Sequence, residues 1–206
     1  MEHLRGCAQS NLAPTTDHPA RFWVNVWVTL LALLLWVASV PSNAAIAADY
    51  EKEYRVKAAF ILNFASLTEW PAESFGSSKD PIVICHVGGS QTKSLFDTAY
   101  SGRMVKHHPI EIWHLSSGGR VAGCHIIIIT TKRGERVREF IAAVAGKSIL
   151  TIGETKNFAR SGGVIGFYKD GSKIRFEVNL GAAENAKLRI SSRLLRLARL
   201  VSSEDE

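Results

Sequence analysis

Two cysteine–histidine dipeptides, Cys85-His86 and Cys124-His125, carry the residue types best suited to chemistry in this chain. Two thiols and two imidazoles match the ligand set of a structural zinc site. Both dipeptides, however, lie in extended apolar stretches, Ile82-Val-Ile-Cys-His-Val87 and Cys124-His-Ile-Ile-Ile-Ile129. Neighbours on a strand point to opposite faces, so the Cys and His of one dipeptide do not easily converge on one metal. The thiols can instead pair with each other, and buried free thiols or a metal site are the alternatives. Which chemistry holds depends on the redox compartment.

The other constellations are weaker. His107-His108 precedes a strand and reads as a solvated edge rather than a metal pair. Val87-Gly-Gly-Ser-Gln-Thr92 is a strand–glycine–helix junction whose amides can hold an anion, but it lacks the full G-x-G-x-x-G pattern and reads as a tight turn. Gly146-Lys147-Ser148 imitates the end of a phosphate-binding loop, yet Ile141 stands where the first glycine belongs, and the segment follows a helix. No serine occupies a G-x-S-x-G elbow, and Glu69 and Glu177 have no visible acid–base partner. The sequence therefore assigns no catalytic residue, no metal ligand and no cofactor, and the chain reads as a non-enzyme. Candidate contact residues are Arg175 and Glu177, alternating with Ile174, Phe176 and Val178, together with Arg189, Arg193, Arg196 and Arg199. The plain alternative for them is a solvated face.

The compartment is set by the N-terminus. An apolar run over residues 22–40 has Arg5 and Arg21 ahead of it and Ser42-Asn-Ala-Ala-Ile-Ala-Ala48 behind it. That order reads as a secretory signal over residues 1–48, with Ala45-Ile-Ala47 and Ser42-Asn-Ala44 as cleavage patterns. The run is also about as long as a membrane anchor requires, and Asn25, Thr29 and Pro41 favour cleavage over anchoring. Residues 49–206 then form an exported domain, expected in the periplasm. Glu2, Asp17, Arg5 and Arg21 cancel within the leader, so the net charge of +6 belongs to that domain. A basic exported domain meets anionic headgroups, acidic proteins or anionic ligands, and no nucleic acid. Cys7 leaves with the leader, and Cys85 and Cys124 remain as an even pair in an oxidising compartment, which favours the disulfide.

The elements that position these residues follow from periodicity. Residues 50–68 read as a helix, with Tyr54, Ala58, Ile61, Ala65 and Thr68 on one stripe and Phe60, Phe64 and Leu67 beside it, stopped by Trp70-Pro71. Strands are expected at 81–87, 108–113, 124–129 and 148–152, and helices at 92–100 and 135–145. Residues 164–168 and 173–179 flank Lys169-Asp-Gly-Ser172 as a hairpin. A final helix is expected over 192–201, docking Leu194, Leu197 and Val201 and leaving Arg193, Arg196 and Arg199 in solvent. Strands alternating with helices, then an antiparallel pair, indicate an α/β fold: a single three-layer domain with a mixed β-sheet flanked by helices.

Read in order, Tyr54-Arg-Val-Lys-Ala-Ala-Phe-Ile-Leu-Asn-Phe-Ala65, Leu67-Thr-Glu-Trp-Pro71, Ile84-Cys-His-Val-Gly88 and Gly123-Cys-His-Ile126 resemble the motifs of the YfiR family of exported regulators. Leu150-Thr-Ile-Gly153, Phe158-Ala159, Gly162-Gly163, Ile174-Arg-Phe-Glu-Val-Asn179 and Leu188-Arg-Ile-Ser-Ser-Arg-Leu-Leu-Arg-Leu-Ala198 continue the series. The resemblance implies a periplasmic repressor that binds the periplasmic sensor domain of an inner-membrane diguanylate cyclase, lowering cyclic di-GMP and biofilm formation. It also implies a homodimer and redox-sensitive disulfide bonding. Some members carry a second cysteine pair that has no counterpart here, which leaves Cys85–Cys124 as a structural bond. The alternative is a periplasmic small-molecule-binding sensor module for another membrane signalling protein, with Glu177 and Arg189 as polar anchors in an apolar pocket.

Overall fold

The computed structural model describes residues 26–28, 30–31, 43–77, 79–116 and 119–203. Most of the expected leader lies outside them, and among the described residues no helix is long and apolar enough to cross a membrane. The chain divides into a unit of Met1–Ile46 and a unit of Ala47–Glu206. In the first, residues 26–28 and 30–31 are helical.

The second unit is built around helix α1 (Asn43–Ser66), most of which it contains, and the elements that follow. These are β1 (Thr68–Glu69), a 3-10 turn (Ala72–Ser74), β2 (Ile82–Val87), α2 (Ser90–Tyr100), β3 (Met104–Val105) and β4 (His108–His114). Then come β5 (Ile126–Ile129), α3 (Gly134–Val144), β6 (Leu150–Gly153), β7 (Ile165–Asp170) and β8 (Lys173–Asn179). The chain closes with α4 (Leu180–Asn185), β9 (Arg189–Ile190), α5 (Ser192–Leu195) and β10 (Arg199–Val201). Eight strands form one mixed sheet in the order β10-β8-β7-β6-β5-β2-β4-β3. Strands β4, β2, β5, β6 and β7 run parallel, while β8 joins β7 and β3 joins β4 antiparallel.

Alternation along the central strands supplies a separate core to each face. Ile82 and Ile84 of β2, Ile126 and Ile128 of β5 and Ile152 of β6 pack under Tyr54, Ile61 and Phe64 of α1 and Phe96 of α2. Val83, Cys85 and Val87, with Ile127 and Ile129, turn the other way and pack under Val137, Phe140 and Val144 of α3. Helices on both faces make the three layers, and this double burial is why β5 reads as an unbroken run of isoleucine. Phe158 belongs to the second core, and its ring lies so close to Gly153 and Gly163 that a Cβ on either would sit 2.3 Å or 2.1 Å from it. That contact gives the glycines of those two motifs a packing reason.

Three expectations are corrected. Helix α1 ends at Ser66, before Trp70-Pro71, because Thr68 and Glu69 pair antiparallel with Ile190 and Arg189 in a separate two-stranded sheet. The hairpin strands extend through Asp170 and Lys173, which pair, leaving Gly171-Ser172 as the loop, and only Gly171 of the expected Asp-Gly takes positive φ, at 59°. The C-terminal segment is not one helix. Ser191 caps the short turn of α5, after which Arg199–Val201 runs parallel to Glu177–Asn179 as β10. Strand β8 otherwise presents a row of unpaired backbone groups at the sheet edge, and β10 pairs with its last three residues, Glu177–Asn179. Leu194 and Val201 are buried as expected, but Leu197 is 66% exposed.

Cys85 and Cys124 form a disulfide across 39 residues of sequence. Both lie in the core under α3, so the bond ties β2 to the entry of β5. Alkylation of the folded, unreduced protein followed by mass spectrometry should label neither residue; labelling of both would remove the bond. Replacing both with Ala should lower the unfolding free energy by about 2–4 kcal/mol, read from denaturant melts.

Candidate functional site

The contact residues expected from sequence are spread over β8, the small two-stranded sheet and the C-terminal segment. Arg175 lies 3.7 Å from Asp170, and Arg189 lies 3.8 Å from Glu69 on the small two-stranded sheet. Glu177 accepts a 3.2 Å bond from Arg199, whose guanidinium also lies 4.3 Å from the Tyr168 ring centroid. Glu177 and Arg189 thus have separate ionic partners, and neither lines the two larger cavities described below. Arg193 and Arg196 are exposed and have no acidic partner among the described residues. Leu197 and Leu200 are exposed beside them, at 66% and 53%.

The densest charge cluster lies elsewhere, where the carboxyl ends of β5 and β6 meet the first half of α1. Lys57 sits on the buried stripe of α1 between Tyr54 and Ala58, and its side chain is only 7% exposed. A buried ammonium requires compensation. Glu53, one helical turn earlier, supplies it at 2.7 Å, and Glu154, directly after β6, supplies a second carboxylate. Glu154 also accepts a 2.5 Å bond from the Tyr54 hydroxyl, and Glu53 holds Lys169 of β7 at 2.5 Å. Burial pushes the Glu53 carboxyl up, but the Lys169 and Lys57 ammonium groups outweigh it and hold it below the usual carboxylate range. Burial and the Glu154 carboxylate together push the Tyr54 hydroxyl far above its ordinary value. The cluster opens into a cavity of ≈490 Å³ whose walls also include Tyr50, Thr130, Lys132, Phe167 and Ile174.

Behind Thr130 lies a chain of imidazoles. His114 donates from Nε2 to Asp97 at 2.7 Å, which leaves its Nδ1 to accept from His86 Nδ1 at 3.3 Å. Thr92 donates its hydroxyl to the Gly89 carbonyl at 2.9 Å, and the Thr130 hydroxyl lies 3.0 Å from His86 Nε2 and 3.4 Å from the Val87 carbonyl, both acceptors for its one proton. These bonds are all made with His86 neutral. Burial at 2% exposure, then repulsion from His114, pushes its pKa down to about 4. A Cβ on Gly88 would sit 1.9 Å from the Thr130 hydroxyl, so glycine is required where the chain leaves β2.

Each Cys-His dipeptide is split between the faces. Cys85 lies under α3, whereas His86 points into the polar chain on the α2 side. His125 accepts from the Val83 amide at Nδ1, donates from Nε2 to the Ser74 carbonyl and stacks on Phe75 at 4.5 Å. Its ring nitrogens are thus both engaged in packing the strand entrance. Among the described residues no group of three or more His, Cys, Asp or Glu can hold a metal. His108, of the His107-His108 pair, stacks on the other side of that region against Phe75, at 4.5 Å.

A second cavity, ≈460 Å³, lies between α3, α4 and Ser202 and Ser203 after β10. Asn179 in its wall donates to the Ala159 carbonyl and the Ser203 hydroxyl and accepts from the Ala182 amide, so its polar capacity is structural. The Lys57 cluster escaped the sequence reading. Its only local signal is a lysine in the middle of an apolar stripe with an acid four residues before it; Glu154 and Lys169 are joined to it only by the fold.

A family model described as YfiR/HmsC-like matches residues 54–199, well over half the chain. The chain belongs to that family. No curated protein matches it.

The neutral His86 makes stability depend on pH. The unfolded chain takes up this proton near the ordinary histidine value of 6.5, whereas the folded chain refuses it until about pH 4. Stability contributed by burying neutral His86 is therefore complete above pH 6.5 and lost as pH falls towards 4, by up to about 3 kcal/mol. Denaturant melts across that window should show the loss, and His86→Gln should flatten it. An equally steep loss in the variant would assign the dependence to other groups.

Proposed function

We propose that this member of the YfiR/HmsC-like family is a periplasmic regulatory protein, working by binding rather than catalysis. It represses an inner-membrane diguanylate cyclase through the cyclase's periplasmic sensor domain, lowering cyclic di-GMP and biofilm formation. The observation that carries this reading is the family match over residues 54–199. Repression by binding needs only a higher affinity for the partner's inactive state than for its active one.

The side-chain arrangement supports binding over chemistry. The carboxylates of the Lys57 cluster are held by cations, His86 is buried and neutral, and His125 is fixed at both ring nitrogens. The surface most suited to a partner is the C-terminal segment, where exposed Leu197 and Leu200 lie among Arg193 and Arg196. Apolar side chains flanked by exposed guanidinium groups suit an acidic protein surface, because arginine binds carboxylates in a bidentate manner. Arg199 is less available, being held by Glu177 and Tyr168. The same segment is a contact candidate for the homodimer that the family reading implies.

Deleting the gene should raise cyclic di-GMP, and overexpression should lower it, with both effects vanishing in a strain that lacks the partner cyclase. An unchanged level in the deletion strain would sink repression. Replacing Arg193, Arg196 and Leu200 together with Ala should leave the melting curve near wild type, since none is buried, and should weaken capture of the partner's periplasmic domain by about tenfold or more. Wild-type repression by this triple variant would show that the surface is not used.

A further inference from the structure

We propose that the cavity at the carboxyl ends of β5 and β6 binds a small organic anion, with Lys132 receiving its charge. The position is the first argument. In open α/β sheets ligands are taken outside the carboxyl ends of the strands. Thr130 and Lys132 directly follow β5, Glu154 directly follows β6, and all three line the cavity. Its volume, ≈490 Å³, is that of a small-molecule site.

The hydrogen bonds decide the sign of the ligand. Every carboxylate oxygen in the cavity wall already has a donor. Glu53 takes Lys57 on Oε1 and Lys169 on Oε2, while Glu154 takes Tyr54 on Oε1 and Lys57 on Oε2. The Lys57 ammonium also lies 4.5 Å from the Tyr54 ring centroid, so the place where an amine ligand would be caged by carboxylates and an aromatic face is filled by the protein's own lysine. Lys132 has no acidic partner among the described residues. The wall therefore holds three ammonium groups against two carboxylates, and the surplus charge is positive. Beside it, Tyr50 and Ile174 offer a ring and an aliphatic surface for an apolar body. A carboxylate or a phosphate monoester on a compact apolar frame satisfies both features.

The test uses protein purified from expression of the full chain, with benzoate and phenyl phosphate as anionic probes and benzylamine as the cationic analogue of the same shape. Calorimetry should detect at least one anion and no benzylamine, and which anion binds tells carboxylate from phosphate recognition. Backbone NMR signals of Tyr50 and Ile174 should shift on binding. Lys132→Ala, an exposed substitution, should weaken the anion about tenfold, and Lys132→Arg should retain it. Binding of benzylamine as tight as that of the anions, no saturation by either anion at millimolar concentration, or wild-type affinity in Lys132→Ala would each overturn the proposal. The readout is direct binding, so its failure leaves the regulatory reading standing, and unchanged cyclic di-GMP in a deletion strain leaves this one standing.

Discussion

Side-chain alternation along β2, fixed by its parallel pairing to β5 on one side and β4 on the other, is the constraint on which the rest of the molecule depends. Pairing of Ile84 with Ile126 and Cys85 with Ile127 sends every second residue to each face. The face under α3 thereby receives Cys85 for the disulfide, and the face under α2 receives His86 for the hydrogen-bonded chain. A slip of one residue would exchange the two sets, placing an imidazole in an apolar core and a thiol among hydroxyls. The disulfide and the polar chain therefore hold the same register from opposite sides of the sheet.

A second level of organisation concerns charge near the core. Lys57 occupies a position where a lysine without partners would be strongly disfavoured, and it is tolerated because carboxylates reach it from its own helix and from the end of β6. Such a cluster pins α1 to the sheet at a chosen rotation. It contrasts with Arg55–Glu51 on the outer side of the same helix, which is solvent-exposed and contributes little. The buried charges thus satisfy one another along the wall of the cavity they border.

The two ends of the sheet differ in character. At one, β3 is a two-residue strand beside β4, whose own side chains are half-buried or exposed. At the other, β10 is short and carries Leu200 outward, with Leu197 exposed on the turn before it and Arg193 and Arg196 exposed nearby. Short strands limit uncontrolled edge pairing, and charged neighbours do the same. An exposed apolar pair inside that protection is the combination expected of a surface with a specific partner.

Much of the fold was legible in the sequence. Tyr54, Ala58, Ile61 and Ala65 lie at helical spacing and are all buried, and the isoleucine run of β5 is central and covered on both faces. The cysteine pair was legible as an even pair in a chain expected to be exported, with opposite-facing neighbours weighing against a shared metal, and the ordered motifs placed the chain in its family. These signals are local, since periodicity reports which face a side chain takes within one element. It does not report which distant element that face meets. The bond from Tyr54 to Glu154 spans 100 residues, and the pairing of Thr68 with Ile190 joins opposite ends of the domain. The C-terminal segment has the apolar spacing of a helix, yet the open edge of β8 turns Arg199–Val201 into a strand. Element identity and facing thus came from the sequence, whereas the charge cluster, the cavity and the last strand were decided by tertiary structure, because only there do the unsatisfied groups of one element meet the partners that another supplies.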